Sequence, residues 1–465
     1  MSVILPDSFW PLLAAFRPCF GAPSFQNFCA IVAGWVHCLG RHTVTAVGLA
    51  SGDLRRRHIS SFHRFFTQAQ WALDAVGSVV FHLAARWLAI DQPVIVLLDD
   101  TLARKTGKCI SLAAMHHDPL LSSAHKPFTS FGHVWVVLAL WIPLPVSSGR
   151  GFALPLLFRL FVGSRSGGQA DAPSRRTTGE RQHAAHRAAV AAPHHTKLEL
   201  GRDLIRLLAS WVPQRRIIVV VDSAYLGRTI LEHRPPGVDI CSRLRMDAAL
   251  WTPAPARRPG QNGRPRRRGE RLPTPAAWVA ARRCWHRLSL SLYGRQVTTQ
   301  VCTKTALWYK ALRDQPIRIV LVRDPHGRRR DEAFFCTDLQ TGAAAILSTY
   351  ARRWTLEVAF RDGKQHLGFE DPQQQVELAV RRTAPMAFIV YDLVLLWAAT
   401  RTDAGQPVRW VDRSWYRRKT TPSFADLLLA LRHEGWRARV FDPSSPSRWP
   451  KNLTPPWALA VLATA

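Results

Sequence analysis

The sequence predicts a mixed α/β fold, on three observations. Two aliphatic runs, Val94–Leu98 and Ile217–Val221, are continuous and largely β-branched, as strands buried on both faces are. Two stretches, Lys197–Trp211 and Ala343–Leu367, carry the 3.6-residue apolar period of amphipathic helices. Apolar residues make up 47% of the 465 residues, enough for substantial cores in a chain longer than one ordinary domain.

Taken in order, residues 1–90 read as helical. Ser24 is placed to cap a helix with Phe25, Phe28, Ile31, Val32 and Trp35 on its apolar side. A second short helix starts near Thr43, and a third, Ile59–Gln70, carries Phe62, Phe65 and Phe66 beside His63 and Arg64. The basic knot Arg55–His58 lies between them. Short helices with a basic connection suit a DNA-binding region and a small helical cap equally.

Residues 91–245 change period. Val94–Leu98, Val134–Trp141, Phe152–Phe161, Ile217–Val221 and Val238–Leu244 read as strands, with the helix Lys197–Trp211 among them. Residues 163–196, polar and rich in Gly, Arg and His, read as a mobile loop. Residues 246–340 form a β-rich insertion, with strands expected at Arg287–Tyr293, Val297–Thr303, Ile317–Val322 and Glu332–Thr337. Within it, Arg257–Arg271 holds seven Arg and is expected to stay disordered without a partner. Helix returns over 341–400, at Ala343–Leu367 and Ala384–Ala399. Residues 401–465 form a C-terminal helical region, its clearest segment Phe424–Glu434.

Composition narrows the function. With 63 Lys and Arg against 32 Asp and Glu, the formal charge is +31. Arg dominates the excess and grips phosphate oxygens in a bidentate fork, so the expected partner is a polyanion, most simply nucleic acid. Eight scattered cysteines include no C-x-x-C and no zinc-ligand spacing, which suits buried thiols in a reducing cytoplasm. The N-terminal stretch meets Asp7 and lacks a basic leader, so no secretory signal is expected. Phe25–Leu39 is too short to span a bilayer, and Val134–Val162 is broken by Pro and Gly. No membrane role is expected.

Three carboxylates carry the chemistry. The sequences LLDDT and VVVDS each place acid at the end of a buried strand, where side chains leave the core while the backbone stays rigid. Asp99 and Asp100 are neighbours and point to opposite faces, so one alone can join a shared cluster. Asp100 is taken as that one, with Asp99 in a structural or supporting place. Asp222 is the second acid. The third lies in TYARRWTLEVAFRDGKQHLG, where a continuous helix would put Tyr350, Arg353, Glu357 and Lys364 within an arc of about 60°. Asp100, Asp222 and Glu357, without Cys or His at ligand spacing, favour a hard cation such as Mg²⁺ or Mn²⁺. A pair of such ions activates the attacking oxygen and stabilises the leaving oxygen of a phosphodiester.

The chain resembles bacterial insertion-sequence transposases of the DDE superfamily, in the group marked by a Tyr-x2-Arg-x3-Glu-x6-Lys signature. Tyr350, Arg353, Glu357 and Lys364 match that spacing, while Asp100 and Asp222 are similar to the family aspartates. The resemblance covers about residues 20–400. It implies an RNase H-like mixed sheet flanked by helices, interrupted by the insertion between the second Asp and the Glu. It also implies cut-and-paste transposition with two Mg²⁺ ions, through a hairpin intermediate, on double-stranded DNA comprising inverted repeats and target. Tyr350, Arg353 and Lys364 would bind DNA near the scissile phosphate, and Trp354 (or Trp308) would stack on a flipped base. A homodimer on paired ends and a cytoplasmic, nucleoid-associated location are expected. The alternative class is a transposase-derived DNA-binding protein that no longer cuts, acting as repressor or host factor.

Overall fold

The computed structural model describes residues 5–163 and 195–440, apart from 55, 108, 124, 148, 258–262, 293 and 411–418. Most of the expected loop 163–196 lies outside the described residues, as do 441–465 of the C-terminal region.

The molecule is built on one mixed sheet. Its first four strands are β1 (Val94–Arg104), β2 (Ala114–His117), β3 (Thr129–Ile142) and β4 (Phe152–Phe161). After a break in the chain's strand content come β5 (Ile217–Val221) and β6 (Val238–Leu244). The core order is β4-β3-β1-β5-β6, with β3 antiparallel to both β4 and β1, and β5 and β6 parallel to β1. That is the arrangement an RNase H-like core requires. The parallel strands are the aliphatic runs read from the sequence, and each residue of β5 is buried.

β1 runs six residues beyond its expected end, because the hydrogen bonds to β3 continue as far as Arg104↔Gly132. Its pairing with β5 stops earlier, at Leu98↔Val221. From Asp99 onward, one edge of β1 has no strand beside it.

The insertion is β-rich, and its strands join the main sheet. Its strands are β7 (Leu250–Trp251), β8 (Arg271–Leu272), β9 (His286–Leu292), β10 (Arg295–Leu307), β11 (Pro316–Arg323) and β12 (Glu332–Cys336). They form no separate sheet: β12 pairs with β6, and the ladder continues through β11 and β10 to β7 and β8, with β9 also on β10. The second half of the Arg-rich segment is ordered too. Arg268 lies 3.8 Å over the Trp251 ring and 4.9 Å from that of Tyr309, while Gly269 N–H donates to Thr252 O at 2.9 Å. Cation–π stacking on two rings supplies what charge repulsion alone would deny.

Helices cover the sheet. After the short helical turn Trp10–Ala14, the sheet is preceded by α1 (Ala22–His37), α2 (Val44–Ala50), α3 (Ile59–Thr67) and α4 (Leu73–Ala84). Pro23 opens α1 and Gly21, not Ser24, is its N-cap; Thr43 caps α2 as expected, accepting from Ala46 N–H. Phe28, Ile31, Val32 and Trp35 are fully buried, and Trp35 Nε1 donates to Leu367 O at 2.8 Å. These helices therefore pack into the main core. Arg57 of the basic knot is held by Asp53, Asn27 and Gln26.

Gly34 lets α1 and α2 touch: a Cβ there would sit 2.0 Å from the carbonyl oxygen of Val47. Gly34→Ala is expected to cost about 1–3 kcal/mol through forced separation of the two helices. Urea unfolding against wild type measures it, and an unchanged midpoint would contradict the close packing.

Behind the sheet run α5 (Lys197–Trp211), α6 (Ala343–Ala351), α7 (Trp354–Leu367), α8 (Pro385–Asp403) and α9 (Phe424–Val440). α5 lies on the face of Leu98, since a Cβ at Gly201 would meet the Leu98 side chain at 2.9 Å. α8 lies on the other, with Phe388 packed on Phe158, Phe360 and Phe369. Glu377–Asp403 is long and apolar enough to cross a membrane by composition, but 94% of that window is buried inside the fold as its central helix.

Candidate active site

The opening beside β1 is where acids gather. In a parallel pair, residues in register project from the same face, so one step past Leu98↔Val221 both Asp99 and Asp222 turn to the face opposite Leu98. Asp99 Oδ1 accepts the backbone N–H of Asp100 at 2.8 Å, replacing part of the missing ladder. Burial pushes the Asp99 carboxyl up to about 7, against the Asp100 N–H and the Arg353 guanidinium, which lower it, while Asp100 and Asp222 add smaller like-charge contributions.

The third acid comes from α7. One continuous helix over 343–367 was expected; the chain instead tightens between α6 and α7. Arg352, Arg353, Thr355 and Leu356 donate to the carbonyls of Thr349, Tyr350, Arg352 and Arg353, each three residues back. Arg352 stacks 3.7 Å over Trp141, and Thr355 Oγ1 donates to Arg352 O at 2.7 Å. The adjoining Arg353 is thereby directed at the acids. Its Nη1 donates to Glu357 Oε1 at 2.7 Å and to Asp99 Oδ2 at 3.2 Å. Desolvation opposes that charge, yet Glu357, Tyr350 and Asp99 outweigh it and hold the guanidinium more firmly protonated than usual.

Asp100 belongs to a different environment. Its Oδ2 accepts from Lys197 Nζ at 2.7 Å and its Oδ1 from the Tyr225 hydroxyl at 2.9 Å. Burial first, and then Asp100, keep the Tyr225 phenol protonated. The structure thus brings Asp99, in place of Asp100, to the face of Asp222 and the Arg353–Glu357 pair. Lys197 and Tyr225 were not singled out from the sequence. Lys197 lies between a cap (Thr196) and its capping-box Glu199, a signal for a fixed helix start but not for its target.

The other expected residues divide. The Tyr350 ring packs 4.9 Å from Phe334 and 5.8 Å from the Arg353 guanidinium. Lys364 Nζ donates to Leu102 O at 2.7 Å and pairs with Glu370 at 3.1 Å, tying α7 to the end of β1. Trp354, the first residue of α7, stands 52% exposed, whereas Trp308 packs edge-on against Phe335 inside the insertion. Among the described residues, no three His, Cys, Asp or Glu side chains stand close enough together to hold a metal ion. Between Asp99 and Glu357 lies the Arg353 guanidinium.

The donor set itself suits a divalent ion. All three groups offer hard carboxylate oxygens. Asp99 is also buried beside like charge and would be relieved by an added cation.

A family profile described as DDE superfamily endonuclease matches residues 15–314, more than half of the chain and including Asp99, Asp100 and Asp222. The chain belongs to the DDE superfamily of endonucleases. A second profile, of the archaeal transposase family ISC1217, matches residues 304–396 of this endonuclease and so takes in Glu357. Together the two place it among insertion-sequence transposases. No curated protein matches the endonuclease. Among solved structures, the piggyBac transposase synaptic complex with hairpin DNA is similar at a TM-score of 0.38 and 10% identity, over 97% of this chain and 83% of that one.

Proposed function

We propose that this endonuclease cuts the DNA ends of its own insertion element and joins them to target DNA, with Asp99, Asp222 and Glu357 as the metal ligands. One observation carries the assignment: Asp99 and Asp222 project from the same face where β5 stops, and Arg353 ties Asp99 to Glu357. Two Mg²⁺ ions, replaceable by Mn²⁺, would supply an activated water or 3′-hydroxyl and stabilise the leaving oxygen.

The protein's own groups bind and orient. Arg353 and Lys364 offer cationic donors for backbone phosphates beside the acids, and Tyr350 borders the same surface. Asp100 fixes β1 through Lys197 and Tyr225, so the neighbouring Asp99 is held without slack. Trp354 presents an exposed ring for stacking on an unpaired base. Trp354→Ala is expected to leave folding intact and to lower cleavage at the ends by about tenfold, in line with a stacking contribution of about 1–3 kcal/mol. Normal hairpin formation and cleavage in that variant would remove the stacking role.

The further reading is cut-and-paste transposition through a hairpin, by a homodimer on paired inverted repeats, in the cytoplasm at the nucleoid of a bacterial cell. Purified protein, Mg²⁺ and duplexes carrying the repeats that flank its gene test it. Metal-dependent nicks at the repeat boundary are the expected product. Tight binding without cutting at any metal concentration would instead favour the non-cutting, DNA-binding descendant.

A further inference from the structure

Arg353 holds an unusual place. A single nitrogen, Nη1, reaches carboxylates from two separate elements, Glu357 on α7 at 2.7 Å and Asp99 on β1 at 3.2 Å. Bridging two acids from different parts of a fold is what a bound divalent ion would do in the same spot. The guanidinium is not fully used: it also hydrogen-bonds the Tyr350 hydroxyl, but Nε is buried and has no partner among the described residues. An Arg fork with its Nε left unmatched is held by charge more than by hydrogen-bond geometry.

The backbone beneath it is also poised to move. Arg353 sits in the three-residue-spaced turn between α6 and α7, where hydrogen bonds are weaker than in an α-helix and hinges are common. The exposed Trp354 ring follows directly, so this turn faces solvent. Phosphate offers the same guanidinium a bidentate acceptor that could take up Nε as well.

We infer that Arg353 is a resident counter-cation that keeps divalent ions off Asp99 and Glu357 until a DNA phosphate draws it away. The inference rests on the metal-ligand assignment of the preceding section. It makes metal loading conditional on DNA, so free enzyme does not carry a charged nuclease centre. Linkage requires the converse: DNA tightens metal binding by the same factor that metal tightens DNA binding.

The experiment is Mn²⁺ titration, read by loss of the free-ion EPR signal, on full-length protein alone and saturated with a duplex carrying its flanking repeat. Wild type is expected to bind Mn²⁺ at least tenfold more tightly with DNA. Arg353→Gln is expected to bind it at least tenfold more tightly than wild type without DNA, and to gain little more when DNA is added. Arg353→Lys retains the charge and is expected to stay weak. Equal Mn²⁺ affinity of wild type with and without DNA overturns the inference and needs no variant that has to fold. Failure of the underlying site reads differently: Asp99→Asn and Glu357→Gln would then leave Mn²⁺ binding unchanged in every state.

Discussion

Asp99→Asn, Asp222→Asn and Glu357→Gln will each lower single-turnover cleavage of end DNA by at least about 10³-fold, while Asp100→Asn will lower it by about tenfold. At about 1.4 kcal/mol per decade, the first loss is roughly 4 kcal/mol of transition-state stabilisation, a reasonable share for a group that would hold an ion at the reacting phosphate. Asp100 differs because its partners are Lys197 and Tyr225, and an Asn there can accept from Lys197 through its oxygen while its amide N–H donates to the Tyr225 hydroxyl. Its loss disturbs only the setting of β1. Rates measured in Mg²⁺ across the four variants decide between the neighbours. A wild-type rate for Asp99→Asn beside a dead Asp100→Asn would return the first ligand to Asp100.

The second large effect concerns stability. Asp392 lies in the middle of α8, fully buried, and neither carboxylate oxygen has a partner among the described residues. Burial raises its carboxyl well above the usual range, so folding favours its protonated form. A folded pKa above the unfolded one means the native state binds the extra proton. Stability is then complete below the unfolded value near pH 4 and falls as pH rises toward the folded value, by about 1.4 kcal/mol per pH unit from this one group. Chemical unfolding midpoints should therefore drop as pH rises above the unfolded carboxyl value of about 4. Asp392→Asn, which cannot ionise, should make that slope shallower. Asp99, Asp362 and Glu434 are shifted the same way and leave a residual dependence. An Asn variant as pH-sensitive as wild type would show that Asp392 finds a partner in solution.

Much of the core was legible because it depends on local pattern. The β5 and β6 boundaries follow from where aliphatic runs meet an acid or a turn, and β4 and α5 fall where period and capping place them. What escaped depends on pairing. Asp99 and Asp100 each sit after the same run, and only the register with β5 says which shares a face with Asp222. A signal existed nonetheless: Asp99 and Asp222 are each the first acid after five aliphatic residues. The tail of β1, Thr101–Arg104, is not an aliphatic run and becomes strand because β3 lies alongside it. The break before α7 follows from contacts of Arg352 and Arg353 with distant residues, which helical periodicity cannot register. The insertion strands alternate as expected, yet nothing in their own sequence states that β12 pairs with β6.

That last pairing gives the protein a ruler. Adjacent strands are spaced by about 4.8 Å, so β9, five strands along from β5, stands roughly 24 Å from Asp222 across an unbroken ladder. On duplex DNA at about 3.4 Å per base pair, that distance is about seven base pairs. A continuous ladder keeps its ends at a set spacing, so under the proposed function any DNA held at β9 and β10 would be cut a fixed number of steps away.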